Sequence, residues 1–144
     1  MSRAQRWMMV AALIGLIPGS TCRQADTKAG LDEPVSLRKG QWVSFTPGRP
    51  LEMAFLRVVQ DSRCPKNVQC IRAGDAVVQF AAKSAEGGMS TFLAQLPEGA
   101  PTDSIPWATW SDYRLRVLSL EPYPEGGVTV DTSAYVVRFV VKKG

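Results

Sequence analysis

Apolar and polar residues alternate along much of this chain, and that period decides what it can fold into. In "AVVQFAAK", Ala76, Val78, Phe80 and Ala82 share one face, with Gln79 and Lys83 on the other. In "YRLRVLSL", Tyr113, Leu115 and Val117 oppose Arg114 and Arg116. In "YVVRFVVK", Tyr135, Val137, Phe139 and Val141 oppose Arg138 and Lys142. A period of two is the mark of a strand with one buried face. "LEMAFLRVV" is apolar on both faces apart from Glu52 and Arg57, which reads as a central strand. "PVSLRKGQWVSF" predicts two short strands turning at Lys39–Gly40, and "MSTFLAQL" predicts one more from about Thr91 to Leu96. No window has convincing helical periodicity. The expectation is about seven strands.

The joints agree. Glu86–Gly88 and Glu121–Gly127 are turn signals, and the prolines of "EPYPEGG" each remove a ladder donor. "PEGAPTDSIP" reads as a longer irregular loop between Leu96 and Trp107. Short strands with frequent turns predict an all-β, single-domain antiparallel β-sandwich, with a small barrel as the alternative. Immunoglobulin-like architecture is favoured, although the disulfide that joins the two sheets of true immunoglobulin domains is absent. The topology therefore stays open. Trp42 is expected in the core.

The N-terminus predicts export. Arg3 and Arg6 precede an apolar run of 11 residues, Trp7 to Ile17, which Pro18, Gly19 and Ser20 break. A membrane-spanning helix needs about 20 apolar residues, so the run fits a cleaved signal better. Cys22 lies at the right distance to be lipidated, though Gly19 and Thr21 depart from the Leu and the Gly or Ala usual before such a cysteine. "RQADTKAG" then reads as a tether. The expected organisation is a signal over 1–21, a flexible tether over 22–33 and the β domain over 34–144.

Charge excludes little and favours little. Without Arg3 and Arg6 the chain keeps 15 basic against 13 acidic residues. No basic cluster follows an aromatic stripe, so nucleic acid is not an expected partner.

Cys64 and Cys70 sit in "DSRCPKNVQCIRAGD". The spacing is not CxxC, so the usual redox motif is missing. Two cysteines with no histidine in the chain make a poor zinc set. Copper would have to recruit Met53 or Met89, which serve more simply as core filling. In an oxidising compartment the favoured reading is a disulfide that staples the loop between two strands. If Cys22 carries lipid or leaves with the signal, this is the one remaining pair. Asp61 and Ser62 are expected to cap the turn, Gly74 to let the chain enter the next strand, and Arg63, Lys66 and Arg72 to form a solvated rim. The sharper alternative is that the loop is a recognition tip.

The same stretch resembles a motif of small, uncharacterised bacterial secreted proteins and lipoproteins, DSRCPxxVxCxxAG. Asp61, Ser62, Arg63, Cys64, Pro65, Val68, Cys70, Ala73 and Gly74 match it, whereas Arg72 stands where a Trp is common. Leu115–Pro124 and Tyr135–Val141 are similar to a later "L..V.L.PYP" and "Y.V.F.V" of those proteins. The resemblance covers about two-thirds of the mature chain. It implies an envelope or extracellular β domain with the disulfide, and it implies no activity.

For catalysis the chain has little to offer. Without histidine, a Ser-His-Asp or Cys-His arrangement is impossible. Asp61, Asp75 and Asp112 sit beside turns, and nothing in the sequence pairs two of them. The expectation is a non-enzyme without cofactor or metal. It would sit in the cell envelope, or be periplasmic or extracellular, and bind envelope proteins or glycans. Membrane contact would come only through an N-terminal lipid. Two sharper alternatives exist. Trp107 and Trp110 could stack on a glycan or grip a peptide, or the Cys64–Cys70 loop could inhibit a peptidase with Lys66 as its anchor.

Overall fold

The computed structural model describes residues 27–46 and 51–144. The stretch read as an export signal, and Cys22, lie outside these residues. Nine strands are present among them: β1 (Thr27–Gly30), β2 (Val35–Arg38), β3 (Trp42–Thr46), β4 (Leu51–Asp61), β5 (Asp75–Lys83), β6 (Met89–Pro97), β7 (Ala108–Trp110), β8 (Tyr113–Glu121) and β9 (Val136–Lys143). They form a five-stranded sheet, β1-β3-β4-β5-β6, and a four-stranded sheet, β2-β9-β8-β7. All pairings are antiparallel except β1 with β3, which is parallel.

Alternation explains the core. The inward residues of β5 (Ala76, Val78, Phe80, Ala82) and of β9 (Val137, Phe139, Val141) are fully buried, as are Leu115 and Val117 of β8. The two sheets meet through aromatic rings. Phe139 of β9 packs edge-on against Phe80 of β5 at 5.0 Å and against Phe45 of β3 at 6.5 Å. Such contacts add about 0.5–1.5 kcal/mol each beyond the area they bury.

β4 is central, as its two-sided apolarity predicts. Two irregularities, between Phe55 and Arg57 and between Val58 and Gln60, shift its parity. On its outer side Ala54 is fully buried between its register partners Trp42 and Ala81. Trp42 therefore lies on the outer side of the sheet, half-buried, rather than in the core.

Three expectations change. β2 and β3 do turn at Gly40, whose φ is +81°, but they do not pair with each other. The chain crosses there from one sheet to the other, because Val35 and Leu37 are buried against the same core from β9's side. Thr27–Gly30, inside the stretch read as a tether, is β1. It has no apolar alternation, and what places it is backbone pairing to β3. β7 follows the stretch read as loop, where no strand is expected. Its three residues take their place from the register with β8. The strand order also runs in sequence within β3-β4-β5-β6 and within β9-β8-β7, whereas the constant-type immunoglobulin order interleaves its strands.

Candidate functional site

The cysteine loop closes one end of the sandwich, between β4 and β5. Its two ends lie on each other. Ser62 N–H donates to the Asp75 carbonyl at 2.8 Å, and the Ser62 hydroxyl accepts from the Asp75 amide at 3.1 Å. A Cβ on Gly74 would stand 1.7 Å from the Ser62 carbonyl oxygen. Only glycine fits there, so "DS" and "AG" are the two halves of one contact.

Cys64 and Cys70 are bonded, with Cα atoms 5.9 Å apart. Glu98, at the end of the β5–β6 hairpin, ties the loop down from the other side. Its Oε2 accepts from the amides of Cys64 at 2.8 Å and Gly74 at 2.9 Å. Its Oε1 accepts from the Tyr123 hydroxyl at 2.7 Å. The two amides, and then the phenol, hold the Glu98 carboxyl below its ordinary value.

Arg63 corrects the sequence reading. Expected in a solvated rim, it is only 5% exposed. Its fork clasps Asp61, Nε to Oδ1 at 2.8 Å and Nη2 to Oδ2 at 2.7 Å. Nη1 donates to the Leu120 carbonyl at 2.8 Å, and Nη2 to that of Pro122 at 3.3 Å. The guanidinium lies 4.7 Å from the Tyr123 ring centre, and the Tyr135 hydroxyl donates to Asp61 Oδ2 at 3.0 Å. Burial works to raise the Asp61 pKa, but the Arg63 bonds and charge and the Tyr135 hydroxyl outweigh it, and the carboxyl is held low. The physical reason is local. Pro122 lacks a ladder donor but keeps its carbonyl, and a planar fork with five donors can take up that carbonyl and the one of Leu120 together. Arg63 thus joins the β4 end of one sheet to the β8–β9 connection of the other.

Lys66 and Arg72 are exposed, as expected. Lys66 continues the tie through its backbone. Its N–H donates to the Pro124 carbonyl at 2.9 Å, and its carbonyl accepts from Gly126 at 3.0 Å. Val68 packs onto Gly126, where a Cβ would come within 2.6 Å of Val68 Cγ2. The loop is therefore held by a disulfide, an ion pair, a carboxylate and a backbone bridge. From this held loop Val68 projects half-exposed and Ile71 fully exposed, and Val128 of the neighbouring connection is also exposed.

A cleft of about 410 Å³ opens beside Arg63, Glu98 and Tyr123, walled by Leu96, Ile105 and Leu118. On its wall Arg63 is engaged by Asp61 and backbone carbonyls, Glu98 by two amides, and Tyr123 by Glu98, while Thr102, Ser119 and Glu121 complete the polar lining.

The two tryptophans part company. Trp110 packs against the core, and its indole N–H donates to Ser90 of β6. Trp107 lies on the outer side of the four-stranded sheet, stacked with Arg116 at 4.1 Å and near Arg114 and Lys142. They do not form one platform. Among the described residues, no group of three or more His, Cys, Asp or Glu side chains could hold a metal ion.

Glu98 and the two tyrosines were missed by sequence reasoning. Tyr123 and Tyr135 do lie in the later blocks of the resemblance, so the joint presence of both blocks was a usable signal. Glu98 lies in neither.

Comparison with protein-family models, with curated proteins and with solved structures returned no match.

Proposed function

We propose that this chain is a non-catalytic exported domain, of the cell envelope or secreted, that binds a protein partner through its stapled tip. The observation that carries the reading is Ile71, a fully exposed β-branched apolar side chain on a loop fastened from every side. An apolar anchor whose position is fixed before binding loses little entropy when it docks. Val68 and Val128 widen the apolar patch, and Lys66 and Arg72 give it a basic rim suited to an acidic surround. The frame would be used as immunoglobulin-like sandwiches are, with recognition on the loops at one end. Export, a lipid on Cys22 and the likeness to secreted proteins and lipoproteins belong to the same proposal.

The inhibitor alternative is less favoured. A loop that enters a protease cleft needs free backbone at its anchor, and both backbone groups of Lys66 are bonded to 124–126. The glycan alternative is weakened by the separation of Trp107 from Trp110.

The test is a photo-cross-linking amino acid at position 71 in the native envelope. A discrete adduct is expected from position 71 and not from Leu93, an exposed residue on the sheet face. The adduct should vanish when Val68→Asp is added. Equal labelling from both positions, or none from position 71, would end the proposal.

A further inference from the structure

The outer side of the four-stranded sheet gathers charges that lie far apart in sequence. Arg38 of β2, Arg114 and Arg116 of β8, and Arg138 and Lys142 of β9 all occupy outward positions, opposite the buried Leu37, Leu115, Val117, Val137 and Val141. Arg114 and Lys142 are direct register partners, and Arg116 is the next outward residue on β8. Acids are sparse on this side. Glu121 lies at one end, and Asp32 pairs with Lys142 at 3.4 Å. The outer side of the five-stranded sheet differs, with Glu52 set against Lys83 at 3.7 Å and Arg57 bonded to Gln79 at 2.8 Å.

Like charges directly opposed across two strands destabilise a sheet. Trp107 offsets part of this by lying among Arg114, Arg116 and Lys142, and Asp32 offsets more. Arg38 and Arg138 stand exposed beyond both. Side chains on one sheet face are about 7 Å apart along a strand and about 5 Å apart across strands. The cations therefore form a plane and not a groove.

The geometry points to a docking surface for a bilayer that carries anionic phosphodiester headgroups. A plane of cations complements a plane of anions. A single-stranded nucleic acid wants aromatic rings to stack its bases, and the indole on this face is already taken by Arg116. The site is distinct from the stapled tip and does not rest on it.

Each basic residue near an anionic surface contributes about fivefold in binding. The full chain would be titrated with phosphatidylcholine vesicles with and without phosphatidylglycerol. Binding to the anionic vesicles is expected to weaken as salt rises. Arg38→Gln with Arg138→Gln should weaken it about 30-fold. The N-terminal segment, with Arg3 and Arg6 beside its apolar run, is the same in both proteins, so the ratio of wild type to the double variant isolates the face. Arg57→Gln, on the opposite sheet, should change it little. Three results would overturn the proposal: equal binding to neutral vesicles, equal weakening by Arg57→Gln, or binding to heparin or single-stranded DNA but not to the vesicles.

Discussion

Replacing Arg63 by Met keeps an unbranched side chain and removes the fork. Asp61 would then stay buried with the Tyr135 hydroxyl and without its cation. The side chains of Arg63 and Asp61 are 4% and 9% exposed, so solvent cannot readily take the place of the missing charge. Breaking one side of such a pair costs about 3–5 kcal/mol. The stability of a whole domain is about 5–15 kcal/mol, so the loss should be plain in a urea titration followed by tryptophan fluorescence. Arg63→Lys keeps the charge but cannot clasp both carboxylate oxygens, and should lose roughly half as much. Asp61→Asn with Arg63→Met removes both charges. The double variant should be no worse than Arg63→Met alone, giving a coupling of about 2–3 kcal/mol in the cycle. If Arg63→Met loses less than about 1 kcal/mol, or if the two single losses simply add, the buried pair does not tie the sheets as described.

Other parts of the clamp make their own tests. Gly74→Ala would drive a Cβ to 1.7 Å from the Ser62 backbone carbonyl, so a loss of about 3 kcal/mol or failure to fold is expected, and a wild-type urea midpoint would refute the contact. Cys64→Ser with Cys70→Ser opens a loop closed across six positions. That should lower stability by about 2 kcal/mol, measured against the oxidised protein in the same titration. Asp61 and Glu98 titrate lower in the folded chain than their ordinary 3.8 and 4.5. The unfolded chain therefore takes up protons first as pH falls. Stability should be flat from pH 7 to about pH 5, fall as pH drops through about 4 and below, and fall less in Glu98→Gln; equal acid slopes in both proteins would contradict the role of Glu98.

The alternating segments were legible because burial on one face leaves a period of two in the sequence. Thus Ala76–Ala82, Leu115–Val117 and Val137–Val141 are read correctly from pattern alone. β1 and β7 leave no such trace, since their places depend on neighbours in the sheet. The crossing at Gly40 is hidden for another reason. A turn looks the same whether the strands it joins pair with each other or part to opposite sheets. The stapled pair Cys64–Cys70 is legible from cysteine count and spacing. Arg63 is not, because an arginine beside Asp61 in a polar loop looks solvated until the carbonyls of Leu120 and Pro122 arrive from the other sheet. Nor is Glu98, whose partners lie 34 and 24 positions back. The basic face is illegible likewise, with Arg38 and Arg138 brought together only by β2–β9 pairing.

The claim that this loop is a held platform is tested most directly by amide hydrogen exchange at Cys64, Lys66 and Gly74. Each of these amides has a bonded acceptor, Glu98 for two and Pro124 for the third. In the oxidised protein all three should exchange nearly as slowly as the amides of β5, and the Cys64 and Gly74 amides should speed up in Glu98→Gln. Exchange at the rate of an open surface loop in the wild type would contradict the account.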